Sequence, residues 1–137
     1  MHRTSRLVLL FLILLVTCSL QAHQQRQAII TLTFEQNGLI NLQIKANAEA
    51  LLAGIGVQHK NTDDAPQVEF YRELRKLSPG ELSSRFAQFQ HEYKQGLDLQ
   101  LSGQRVNWSA FSIQVPEVGD VRQSRQSLIG FTSKIPT

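Results

Sequence analysis

The chain has 137 residues, 42% of them hydrophobic and 18% charged, with one cysteine, one tryptophan and a formal net charge of +3. Residues 1–22 hold two of the 14 Lys+Arg and none of the 11 Asp+Glu, so residues 23–137 carry only +1, without a Lys/Arg cluster or aromatic-basic stripe. Such a surface has no electrostatic footprint for nucleic acid, and the remaining length suits one domain around one core.

Arg3 and Arg6 precede an apolar run from Leu7 to Val16, and Thr17 to Ala22 then form a short polar stretch ending on a small residue. That order is a signal peptide's. The apolar run is about half of the roughly twenty residues a membrane-spanning helix needs, so a cleaved leader is expected over a retained anchor. Leu15-Val16-Thr17-Cys18 outlines a lipobox, which would anchor the chain through a lipidated Cys18, although Thr17 stands where Gly, Ala or Ser is usual. Residues 23–137 contain no cysteine. An exported domain of that kind, periplasmic or secreted, must be held by its core rather than by disulfides.

From Ile29 the pattern has period two. Ile30, Leu32 and Phe34 alternate with Thr31, Thr33 and Glu35, then after Asn37-Gly38 come Ile40, Leu42, Ile44 and Ala46. Alternation on both sides of Asn-Gly predicts a β-hairpin with strands at 28–36 and 39–46, because both turn residues tolerate positive φ. Ala48 to Ala53 favours a short helical turn closed by Gly54 or Gly56, and 57–65 reads as a polar loop. Val68, Tyr71, Leu74 and Leu77 follow at three-residue spacing. Ser78-Pro79-Gly80-Glu81 then has the form of a capping box with Pro in the first turn, and Leu82, Phe86, Phe89 and Tyr93 form a stripe ending at Gly96. Together they predict an amphipathic helical hairpin laid on a sheet, with Glu69, Glu73, Glu81, Arg72, Arg75, Lys76 and Arg85 on its solvated face.

Period two returns at Leu97, Leu99 and Leu101, turns at Ser102-Gly103-Gln104, and continues through Val106 and Trp108, then Phe111, Ile113 and Val115. A last run, Ser127 to Ile135, carries Ile129, Phe131 and Ile135 on one face. The expected class is α+β, an antiparallel β-sandwich-like sheet with a helical hairpin insert, in a single β-rich exported domain at 23–137. Because Ile135-Pro136-Thr137 stops directly after a strand, the reading is of a chain truncated at its C-terminus, or of a last strand left as an unpaired edge for a partner.

Few residues here carry chemistry. His23 would become the mature N-terminus on cleavage after Ala22, where its amine and imidazole offer nitrogen ligands to Cu or Ni. His59 and His91 are the only other histidines of 23–137, and no His-x-His spacing is present. Asn61, Asp63 and Asp64 share a loop, yet the glycine and distal glutamate of a calcium loop are missing. No Gly-x-Ser-x-Gly, His-Glu-x-x-His or cysteine nucleophile occurs, so catalytic residues are not expected and the reading is non-enzymatic. Trp108 and Phe34, Phe86, Phe89, Tyr93, Phe111 and Phe131 fall on stripes that favour a core over a ligand groove. Asn107-Trp108-Ser109 fits the N-glycosylation triplet, which matters only in a eukaryotic secretory pathway.

Ala22-His23 at the leader junction, the hairpin, the Tyr/Leu-containing helical insert and Leu97-Asp98-Leu99-Gln100-Leu101-Ser102-Gly103 together resemble the periplasmic N-terminal portion of HupE/UreJ-type bacterial membrane proteins. The resemblance covers 22–136 in outline and implies an envelope setting and a link to nickel or other metal handling, with His23 the one residue that matches by position. The membrane segments of that family do not follow here, so transport is not implied. The combined expectation is a binding or accessory module of an envelope complex, with an extracytoplasmic Cu/Ni-binding protein using His23 as the alternative.

Overall fold

A computed structural model describes residues 27–56, 58–59 and 61–136. The expected leader at 1–22, Cys18 and His23 lie outside them.

The first strands form the expected hairpin, β1 (Ile29–Phe34) and β2 (Leu39–Ala46), paired so that Ile30, Leu32 and Phe34 oppose Ile44, Leu42 and Ile40. Its turn differs from the two-residue form that Asn-Gly suggests. Glu35 N–H donates to Leu39 O at 2.8 Å and Gly38 N–H to Glu35 O at 3.0 Å, which closes a loop of Gln36, Asn37 and Gly38. Only Gly38 takes positive φ, +79°. Asn37 instead uses its side chain, accepting from Leu39 N–H at 3.0 Å and donating to the Glu35 carboxylate at 2.9 Å. Those bonds stabilise the three-residue loop at a residue that tolerates either geometry.

The short α1 (Ala48–Leu52) begins at Asn47, whose side chain accepts from Ala50 N–H at 3.0 Å. It ends in a Schellman motif. Gly54, at φ +68°, donates to Leu51 O, and Ile55 donates to Ala50 O, so of the two candidate glycines Gly54 closes the helix. A 3-10 turn at Thr62–Asp64 sits in the expected polar loop. Then come α2 (Val68–Lys76) and α3 (Pro79–Gln95), joined by Leu77 and Ser78. The capping box forms as the sequence predicts. Glu81 N–H reaches Ser78 Oγ at 3.4 Å and the Glu81 carboxylate accepts from Ser78 N–H at 2.9 Å. Bonding to Ser78 holds the Glu81 carboxyl below its ordinary pKa.

Beyond α3, β3 (Gln100–Leu101) and β4 (Gln104–Arg105) make a two-stranded ribbon. Ser102 at φ +50° and Gly103 at φ +79° form its two-residue turn, so the primed geometry expected at Asn37-Gly38 occurs here. Strands β5 (Ala110–Gln114) and β6 (Ser127–Lys134) complete a four-stranded antiparallel sheet in the order β1-β2-β6-β5.

This topology corrects the expected unpaired C-terminal edge. β6 pairs with β2 along all eight of its residues and with β5 on its other side, so the last strand is interior and the edges are β1 and β5. The class is α+β. Where a second sheet was expected against the first, the described residues place helices over one sheet face, with the ribbon at its end. Ile40, Leu42, Ile44, Ile129 and Phe131 are buried under Tyr71, Leu74, Leu82 and Phe86. Phe86 stacks on Phe111 at 6.0 Å between ring centroids, and Phe111, Tyr93 and Trp108 lie 5.6, 6.2 and 6.4 Å from Phe131. Each such ring pair adds about 0.5–1.5 kcal/mol beyond area burial.

One charged group that the helical pattern put on the wet face is inside. Arg75 lies four residues after Tyr71, on the same side of α2, and is buried with its guanidinium 5.3 Å from the Tyr71 ring. Glu49 of α1 is fully buried and pairs with Arg125 at 2.7 Å. Arg125 also donates to Leu77 O and Leu74 O, at the end of α2, and to Pro116 O. It thereby fastens the long β5–β6 connection to α1 and α2 by donating to carbonyls at the end of α2.

Candidate functional site

The first strand departs most from what its sequence predicts. Ile30, Leu32 and Phe34 face the same side as the core residues opposite them, yet Ile30 is 66% and Phe34 53% exposed, and only Leu32 is half-buried. Phe34, expected in the core, is therefore an exposed aromatic. The helices pack over β2, β6 and β5, leaving the apolar layer uncovered where it continues onto β1. Ile29, on the opposite face, is also exposed at 59%.

The backbone of β1 is open on one side as well. The bond from Glu35 N–H to Leu39 O fixes the hydrogen-bonding parity of the pair, so Ile29, Thr31, Thr33 and Glu35 turn their peptide groups toward β2. Ile30, Leu32 and Phe34 then turn theirs to the free edge, where among the described residues β1 has no second neighbour. The same three residues thus present unpaired N–H and C=O groups at the edge and apolar side chains on the adjoining face. Natural edge strands are commonly guarded by a charge, a proline or a bulge. From Gln27 to Phe34 there is no charge and no proline, and the β1–β2 register runs without a bulge.

The other edge is different. β5 is five residues long, places Ala110, Ser112 and Gln114 on its exposed face, is followed by Pro116, and its Phe111 is covered by α3 through Phe86.

The remaining sequence candidates are dispersed. His23 falls outside the described residues. His59 is half-buried in its loop, and His91 is exposed on α3, its ring nitrogen 3.2 Å from Gln95 Nε2. Among the described residues no group of three or more His, Cys, Asp or Glu side chains is placed to hold a metal ion. Asn61 caps the 3-10 turn through Asp63 N–H, and the Asp63 carboxylate pairs with Arg72 at 3.3 Å, which ties that loop to α2. No described helix is long and apolar enough to cross a membrane.

Fold and edge together describe a small α+β domain with one covered sheet and one open apolar edge. No protein-family model, characterised protein or solved structure matches the chain.

Proposed function

We propose that the protein is a non-enzymatic module of the cell envelope that docks an extended segment of another envelope protein along β1. The open edge of an uncharged strand whose own apolar side chains are exposed carries this reading. An added strand would satisfy the peptide groups of Ile30, Leu32 and Phe34, and its alternate side chains would extend the apolar layer over Ile30 and Phe34. Export rests on the leader-like residues 1–22, with His23 as the mature N-terminus.

The test uses protein exported in its native host, with intact mass first establishing the mature N-terminus. A photo-crosslinker at Leu32 is expected to give one discrete adduct with an envelope protein, and one at Gln114 on the opposite edge none. Leu32→Pro removes an edge-facing N–H and no β1–β2 bond, so the variant should stay folded and lose partner binding. An adduct of twice the chain's mass would make a second copy the occupant, and equal crosslinking from both edges would sink edge docking.

A further inference from the structure

At the other end of the sheet, two concavities of about 480 and 590 Å³ meet at Arg105 and Asn107, between the C-terminal end of α3, the β3–β4 ribbon and the end of β6. Each has the volume of a small-ligand site. Lys94, Arg105 and Lys134 line them, and no aspartate or glutamate does. Trp108 forms part of the wall at only 6% exposure, and among the described residues its buried indole N–H has no hydrogen-bond acceptor.

The charged side chains lining this groove are all cations: an ammonium in each concavity and a guanidinium where they join. Arg105 is half exposed. It donates to Gln95 O at 3.0 Å and meets Asp98 at 3.5 Å, a long and solvated pairing that leaves the guanidinium available to a better-placed carboxylate. Two joined concavities with three separated cations exceed what a single carboxylate fills, and suit a short chain bearing several.

We propose that this groove binds an acidic peptide segment, with Arg105 as the central carboxylate-binding residue and Lys94 and Lys134 engaging acids on either side. The site lies apart from β1 and does not depend on strand docking there.

Trp108 is the chain's only tryptophan, so its fluorescence reports directly on the groove. Titrating the exported protein with hexaglutamate at low ionic strength should give a saturable fluorescence change, matched by heat in calorimetry and weakened as salt is added. Arg105→Ala should reduce affinity at least tenfold, Arg105→Lys should recover part of it, and Asp98→Asn, which removes the internal competitor, should tighten binding severalfold; circular dichroism checks that each variant is folded. Hexalysine should not bind. Absence of a saturable response in both readouts up to millimolar peptide would overturn the proposal, as would undiminished affinity in a folded Arg105→Ala variant. Free glutamate or acetate binding as tightly as the peptide would overturn the assignment to a peptide.

Discussion

β1 and β6 are written in the same alternating style and end in opposite environments. On the core-facing side β1 offers Ile30, Leu32 and Phe34, whereas β6 offers Ser127, Ile129, Phe131 and Ser133, two of them polar. The less apolar strand is the buried one. β6 lies between β2 and β5 beneath the helices, while β1 lies outside their reach, and Phe131 is 1% exposed against 53% for Phe34. Alternation states which side of a strand is apolar. It does not say what, if anything, covers that side.

The sharpest test of this contrast substitutes the same residue type on the two strands. Phe131→Ala removes a ring that contacts Tyr93, Trp108 and Phe111 and should cost about 3–5 kcal/mol. Phe34→Ala should cost under about 1 kcal/mol, as expected for an exposed position. Urea denaturation measures both, and comparable losses would show that β1 is covered in the folded chain.

The second test loosens the cover itself. Arg125→Ala leaves Glu49 buried without its partner and frees the β5–β6 connection from the end of α2, at a cost of about 3 kcal/mol or more. Amide exchange should quicken along β6 and β5 while the free-edge amides of β1, already open, change little. Uniform protection in the variant would mean that the buried pair does not hold the layers together.

The smallest effect is at the cap. Ser78→Ala should cost about 1 kcal/mol, read as a lower urea midpoint with an unchanged slope. Because Glu81 titrates below its ordinary value of 4.5 when folded, its bond to Ser78 stabilises the protein above that pH. The contribution is lost as pH falls through the depressed folded value. The wild-type advantage over Ser78→Ala should accordingly be steady near neutrality and shrink in acid below about pH 4.5. A difference independent of pH would remove Glu81 from the cap's energetics.

Local signals were legible wherever a residue's neighbours in sequence were also its partners in space. The Ser78–Glu81 box, a glycine stop at Gly54 or Gly56 and the Leu82, Phe86, Phe89, Tyr93 stripe are of this kind, because caps and helix faces are built over three or four residues. Asn37-Gly38 correctly marked a hairpin. The choice between a two- and a three-residue loop turned on side-chain bonds to Glu35 and Leu39 that the dipeptide alone does not specify. Little of the candidate sites was readable. Edge status belongs to a strand's neighbours, and the groove draws Lys94, the Arg105–Trp108 segment and Lys134 from three separate parts of the chain.

Arg75 and Glu49 show the same boundary from the side of charge. Spacing from Tyr71 alone would have put Arg75 on the buried face, but a guanidinium enters a core only where something receives it, and here that is the Tyr71 ring. Glu49 is buried because Arg125, 76 residues away, reaches it. The sequence by itself determined the α+β class, the Ser78 cap, the first hairpin and the apolar side of the four strands of the main sheet, all set by interactions a few residues long. The alternation through Val106 and Trp108, by contrast, forms no strand. Only the tertiary structure decided that the last strand lies inside the sheet, that β1 stays open and that one glutamate and one arginine are buried in the core. Those outcomes depend on which distant segments meet, and local periodicity does not encode that.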